Sequence, residues 1–155
     1  MTDPAETKID GTRSVETANK ETKKVSSEIF DLIAMKGKIG GAGPGTGECG
    51  DDREKHFLMR HSWNVSGSTD AEVAQAMTRL KEGLPKQGWK IVSYERNNSP
   101  AKSLTLIADH DEKKFGVNVE FWEKGKARKD NPPGLVITVV SGCFQVPEGE
   151  TVDHY

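Results

Sequence analysis

The chain lacks most of the signatures from which a function is read directly. No run of about 18 apolar residues occurs, so nothing in it is fit to cross a membrane as a helix. Neither sign of charge is in surplus: 22 basic and 24 acidic residues are well mixed and leave a formal net charge of −2. Nucleic-acid binding usually shows a basic surplus or a basic stripe, and neither is present, so no nucleic-acid partner is expected. The first residues, MTDPAETKIDG, lack the basic-then-apolar order of a signal peptide. The chain is then either cytosolic or the part of an exported protein that follows a removed signal. Serines are plentiful, but none sits in a G-x-S-x-G elbow.

Cysteine is equally scarce, and its two copies bear on the compartment. Cys49 and Cys143 form no C-x-x-C and have no nearby histidine at zinc spacing, which leaves a metal reading poor. Paired, they would close a loop of about 90 residues, worth about 4–5 kcal/mol in the chain-entropy model. Such a bridge persists only in oxidising compartments. Unpaired, they would be two buried thiols in a cytosolic core. Both states stand open on the sequence alone.

With 155 residues, 34% hydrophobic and 30% charged, the chain suits one small domain with a polar periphery. Its organising stretch is Thr69 to Val92. Thr69 and Glu72 have capping-box spacing. Val73, Ala76, Met77, Leu80 and Leu84 then line one face of a helix, which Pro85 and Gly88 close ahead of the strand at Trp89. An earlier seam, Val15, Ala18, Thr22, Val25, Ile29 and Leu32, predicts an amphipathic helix within residues 13–36, ended by Gly37.

Strand patterns cover residues 56–66, 89–96, 103–109, 115–123 and 135–143. The order α-β-α-β-β-β-β predicts an α+β two-layer sandwich: an antiparallel sheet of about five strands with helices packed on one face. Residues 1–12 read as a disordered lead, 13–148 as the single domain and 149–155 as a flexible tail. Residues 37–55 read as a glycine-rich loop, because 36–52 hold seven glycines and one proline. Gly40 and Gly45 have the outer spacing of a phosphate-binding loop, but Thr46 and Gly47 stand where Lys and Ser or Thr are required.

Candidate chemistry is thin. His61 shares the parity of Phe57, Met59 and Trp63, so it faces the core side as a hydrogen-bonded histidine or, less economically, as the base of a cleft. His56 lies on the opposite face, His110 in a turn between Asp109 and Asp111, and His154 in the tail. The acidic run 109–112 is followed by Lys113 and Lys114, which repel a cation, so a charged hairpin is favoured over a calcium loop. No cofactor is called for. Trp122 has opposite parity to Phe115, Val117, Val119 and Phe121, and Tyr94 has opposite parity to Trp89 and Ile91. Both are therefore expected on the open sheet face, with the basic tip Lys124, Lys126, Arg128 and Lys129 beside them. Such a patch would suit a protein, peptide or envelope partner; a solvated hairpin tip and packing beneath the first helix are the plainer alternatives.

The chain resembles small secreted lipoproteins of actinobacteria. In that type a polar spacer and helix precede a first cysteine; a Trp-containing strand, a helix ending in Leu-x(n)-Gly-Trp and a strand meander follow, then a second cysteine with a proline shortly after. Here these are Cys49, Trp63, Leu84 with Gly88-Trp89, and Cys143 with Pro147, over roughly residues 15–148. The resemblance implies an exported, lipid-anchored domain with a Cys49–Cys143 bridge, its lipidated cysteine and signal lying outside these residues; the domain is expected to be a monomer. Such families mostly have no assigned activity. The expected function is a non-enzymatic extracytoplasmic domain that binds a protein, peptide or envelope component. A cytosolic regulatory or adaptor domain with free cysteines, and a small enzyme with a cleft around His61, are the alternatives.

Overall fold

Thr69 caps a helix, as its spacing with Glu72 predicts. In the computed structural model, which describes residues 8–124 and 131–152, Thr69 Oγ1 accepts the Glu72 N–H at 3.1 Å. The Glu72 carboxylate accepts the Ser68 N–H at 3.0 Å, so two otherwise orphaned donors are satisfied. This helix, α2 (Asp70–Gly83), buries Val73, Ala76, Met77 and Leu80. A 3-10 turn at Pro85–Gln87 and Gly88, at φ +93°, deliver the chain into Trp89.

The first helix, α1 (Val15–Ile33), starts at Ser14, whose side chain accepts the Thr17 N–H. It stops short of the expected Gly37: Ala34 takes the left-handed conformation at φ 51°. Arg79 of α2 holds the end there, its Nε and Nη2 donating to the Ile33 carbonyl at 3.0 and 2.7 Å. A cation on a helix C-terminus satisfies an orphan carbonyl and opposes the negative end of the helix dipole.

Eight strands among the described residues form one open antiparallel sheet. Five are the long ones that alternation predicts: β3 (His56–Ser66), β4 (Lys90–Arg96), β5 (Leu104–His110), β6 (Phe115–Trp122) and β7 (Gly134–Ser141). The short ones are β1 (Ile39–Gly41), β2 (Gly45–Gly47) and β8 (Phe144–Gln145). The order is β1-β3-β7-β6-β5-β4, with β2 and β8 also paired to β3. The position of β3, open on the sequence, is thus beside β7, in a register that runs from Arg60 opposite Val140 to Ser66 opposite Gly134. Both helices and one face of the sheet share a single apolar core, including Ile29, Ile33, Trp63, Val65, Met77, Leu80, Trp89, Leu106, Val119 and Ile137.

Three segments expected to be irregular carry structure where they are described. The glycine-rich stretch supplies β1 and β2 along β3. Residues 8–12 of the expected lead run beside Cys143–Gln145: the Asp10 N–H donates to the Cys143 carbonyl at 2.7 Å, its carboxylate accepts the Cys143 N–H at 3.1 Å, and Thr12 bridges Gln145. In the tail, Val152 is buried and its N–H donates to the Glu54 carbonyl. These pieces cover a second apolar cluster of Ala18, Phe57, Met59, Phe144, Val146 and Val152. The disulfide Cys49–Cys143, with Cα atoms 5.8 Å apart, ties the glycine-rich segment to this end of the molecule. Residues 1–7 and 153–155, which include His154, and residues 125–130, with Lys126, Arg128 and Lys129, lie outside the described residues.

Candidate functional site

Alternation along β3 turns His61 and Trp63 to the helix-bearing side, near the edge where β1 joins the sheet. Helix α1 crosses above them. Its residues Lys23, Ser26, Ser27, Phe30 and Asp31 recur at helical spacing and present one face. Between that face, the β3 pair and the backbone from Ile39 to Ala42 lies a cleft of about 420 Å3. Phe30 meets Trp63 edge-on with ring centroids 6.2 Å apart, and His61 lies tilted by 31° to Trp63 at the same separation.

The glycines shape its outer wall. A Cβ on Gly41, which sits at φ +111°, would come within 2.8 Å of the Ser62 carbonyl and the Trp63 Cα; one on Gly40 would meet Asn64 Oδ1 at 2.8 Å. At Gly41 only a residue without a side chain lets β1 lie this close to β3, and the wall there is bare backbone.

Two features of the cleft-lining residues are conspicuous. Ser26 Oγ and His61 Nδ1 are 2.7 Å apart, and the imidazole is also hydrogen-bonded to the Ala42 backbone. Desolvation holds the His61 pKa below its usual value, the Ala42 bond partly opposes this, and the Lys23 charge lowers it further. With the ring neutral and its proton on the Ala42 side, Ser26 donates to Nδ1. Trp63 is 6% exposed, and its indole N–H has no hydrogen-bond partner among the described residues. An unpaired buried donor costs about 1–3 kcal/mol.

Chemically, the Ser26–His61 contact is a hydroxyl held against a base. A backbone carbonyl, not a carboxylate, lies behind the ring, so the imidazolium that a proton transfer would create gains little stabilisation. Among the described residues no three His, Cys, Asp or Glu side chains converge to hold a metal ion.

The residues expected to form one aromatic patch are separated. Trp122 is on the open face, 38% exposed, opposite Gly134. Its face carries a hollow of about 460 Å3 lined by Ile107, Asn118, Glu120, Val136 and Thr138. Lys124 follows, its N–H bonded to Asp70 Oδ1. Tyr94 is on the other side. A bulge between Ile91 and Ser93 shifts the register of β4, leaves Val92 55% exposed and pairs Tyr94 with the fully buried Leu106. One extra residue reverses the parity of everything after it. Tyr94 packs at the rim of the core under Lys81, whose Nζ stands 4.6 Å from the ring centroid, and burial raises its phenol pKa.

His110 is buried and makes two hydrogen bonds, from the Lys113 N–H to Nδ1 and between Nε2 and the Gln87 carbonyl, each 3.1 Å. It is a fastener between the β5–β6 turn and the end of α2. No family model, curated protein or solved structure matches this chain.

Proposed function

We propose that this protein is a non-enzymatic extracytoplasmic binding domain whose ligand occupies the cleft between α1, β1 and β3. The observation that carries the reading is the cleft's composition: largely apolar and aromatic walls, with the Ser26 hydroxyl and the His61 imidazole held together at 2.7 Å. Few polar groups convergent on an apolar concavity are the usual form of a binding site. In this reading the fold is a two-layer sandwich, with the site at the edge of the covered layer. Trp122, on the opposite side, marks a secondary surface.

The Cys49–Cys143 bridge supports an oxidising compartment and removes the free thiols that a cytosolic adaptor would carry. No helix among the described residues is long and apolar enough to cross a membrane. Attachment through a lipid anchor, as in the actinobacterial lipoproteins that the architecture resembles, completes the proposal, with the domain acting as a monomer and without nucleic acid. The Ser26–His61 hydrogen bond favours one second reading, a small hydrolase, for which Ser26→Ala would abolish turnover of an ester substrate.

The binding reading is tested with 1-anilinonaphthalene-8-sulfonate, whose ring suits the cleft and whose sulfonate suits Lys23. Wild type and Trp122→Ala are expected to bind alike, while Phe30→Ala and Ile39→Glu lose at least about tenfold in affinity, about 1.4 kcal/mol. Ile39 is 54% exposed, so Ile39→Glu should leave the fold intact. Binding lost in Trp122→Ala and kept in both cleft variants would move the site to the open face.

A further inference from the structure

The two edges of the sheet are built differently. At one, β4 is broken by the bulge after Ile91 and bears Lys90, Glu95 and Arg96, the devices by which an edge refuses another strand. At the other, β1 ends the sheet with two glycines, no charged side chain and no strand on its far side among the described residues. Gly41 serves the close approach to β3, and the two glycines leave the outer edge without bulk. The cleft opens directly beside this edge, and its inner wall is apolar.

The helical wall adds a charge pattern. Lys23 and Asp31 both line the cleft and stand eight positions apart on α1, a rise of about 12 Å along the axis. That is the length of about four residues of extended chain.

We propose that the ligand of the cleft is an extended peptide segment, which adds a strand to β1 and places one aromatic or large aliphatic side chain against Phe30 and Trp63. Backbone hydrogen bonds to the bare edge set its direction, and the cleft reads the side chain, as in other strand-addition sites. With only three residues in β1, the backbone bonds are few and the side chain is the anchor. Flanking residues of opposite charge fall near Lys23 and Asp31. The inference rests on the cleft being the binding site and goes beyond it by naming what enters.

The test uses the full chain and acetylated, amidated pentapeptides Glu-Val-Phe-Val-Lys and Lys-Val-Phe-Val-Glu, with calorimetric titration. One of the two is expected to bind, Ile39→Lys to abolish its binding, and N-methylation of alternate peptide amides to weaken it by roughly tenfold in one of the two registers, since it removes strand hydrogen bonds. Equal affinity for both N-methylated registers and the parent would overturn strand addition. So would binding of N-acetylphenylalaninamide to the cleft with neither peptide bound, an outcome that leaves the cleft itself as a binding site. If neither the peptides, the amide nor the anilinonaphthalene probe binds, the cleft assignment fails together with the inference.

Discussion

Replacing both cysteines, Cys49→Ser with Cys143→Ser, should cost about 4–5 kcal/mol, because the bridge closes a 94-residue separation and the chain-entropy model assigns that much to such a loop. Domains of this size have total stabilities of about 5–15 kcal/mol, so the variant should be marginal at physiological temperature. Two consequences are separable. Global stability, read by denaturant titration, falls because the unfolded chain gains freedom. Locally, the glycine-rich segment keeps β1 and β2 paired to β3 but loses its covalent tie, and anilinonaphthalene binding in the cleft weakens with it. A loss below about 1 kcal/mol would mean that strand pairing alone fixes this segment, and that the loop-closure figure does not apply here.

The second large effect is expected at Gly88. Its φ of +93° is strained for any residue with a side chain, and an added Cβ would approach His110 Nε2 to 2.8 Å. His110 would have to leave the Gln87 carbonyl and the Lys113 N–H that it joins at 3.1 Å each. It would also disturb the edge-on contact with Trp89, whose ring centroid is 5.4 Å away. Backbone strain of about 1–2 kcal/mol and unpaired buried polar groups at about 1–3 kcal/mol predict a loss of about 2–5 kcal/mol for Gly88→Ala. In a His110→Ala background the same substitution should cost only the backbone part. A double-mutant cycle measures that coupling, and strictly additive costs would show that the two residues do not act together.

Much of this fold is legible in the amino-acid pattern. The capping box at Thr69 and Glu72, the apolar stripe of α2 and the five long strands depend on short-range spacing. Each therefore appears where the sequence places it. Tyr94 was not legible, because a bulge is set by how β4 pairs with β5 and leaves no mark in alternation. The glycine segment 37–55 reads as a loop for a similar reason: β1 and β2 exist only against β3, and glycine contributes no strand preference of its own. The end of α1 was misplaced because Arg79, a residue from another helix, stabilises Ala34 in an unusual conformation.

The candidate site was half legible. His61 and Trp63 share a core-side parity, and the polar residues Lys23, Ser26 and Ser27 interrupt the face of α1 above them. Their convergence needed the crossing of α1 over the β3 edge, a long-range contact that the sequence does not print. A cluster of glycines beside a strand that carries an inward histidine was the available signal, since it marks close backbone approach.

The most direct test of the account is a proton–nitrogen correlation spectrum recorded as N-acetylphenylalaninamide is added. The chain has three tryptophans and therefore three indole N–H signals. If the cleft is the binding site, the Trp63 indole signal moves most, with the His61 and Gly41 amides, while those of Trp89 and Trp122 stay in place. Movement of the Trp122 indole with a stationary Trp63 would contradict the account and assign binding to the open face of the sheet.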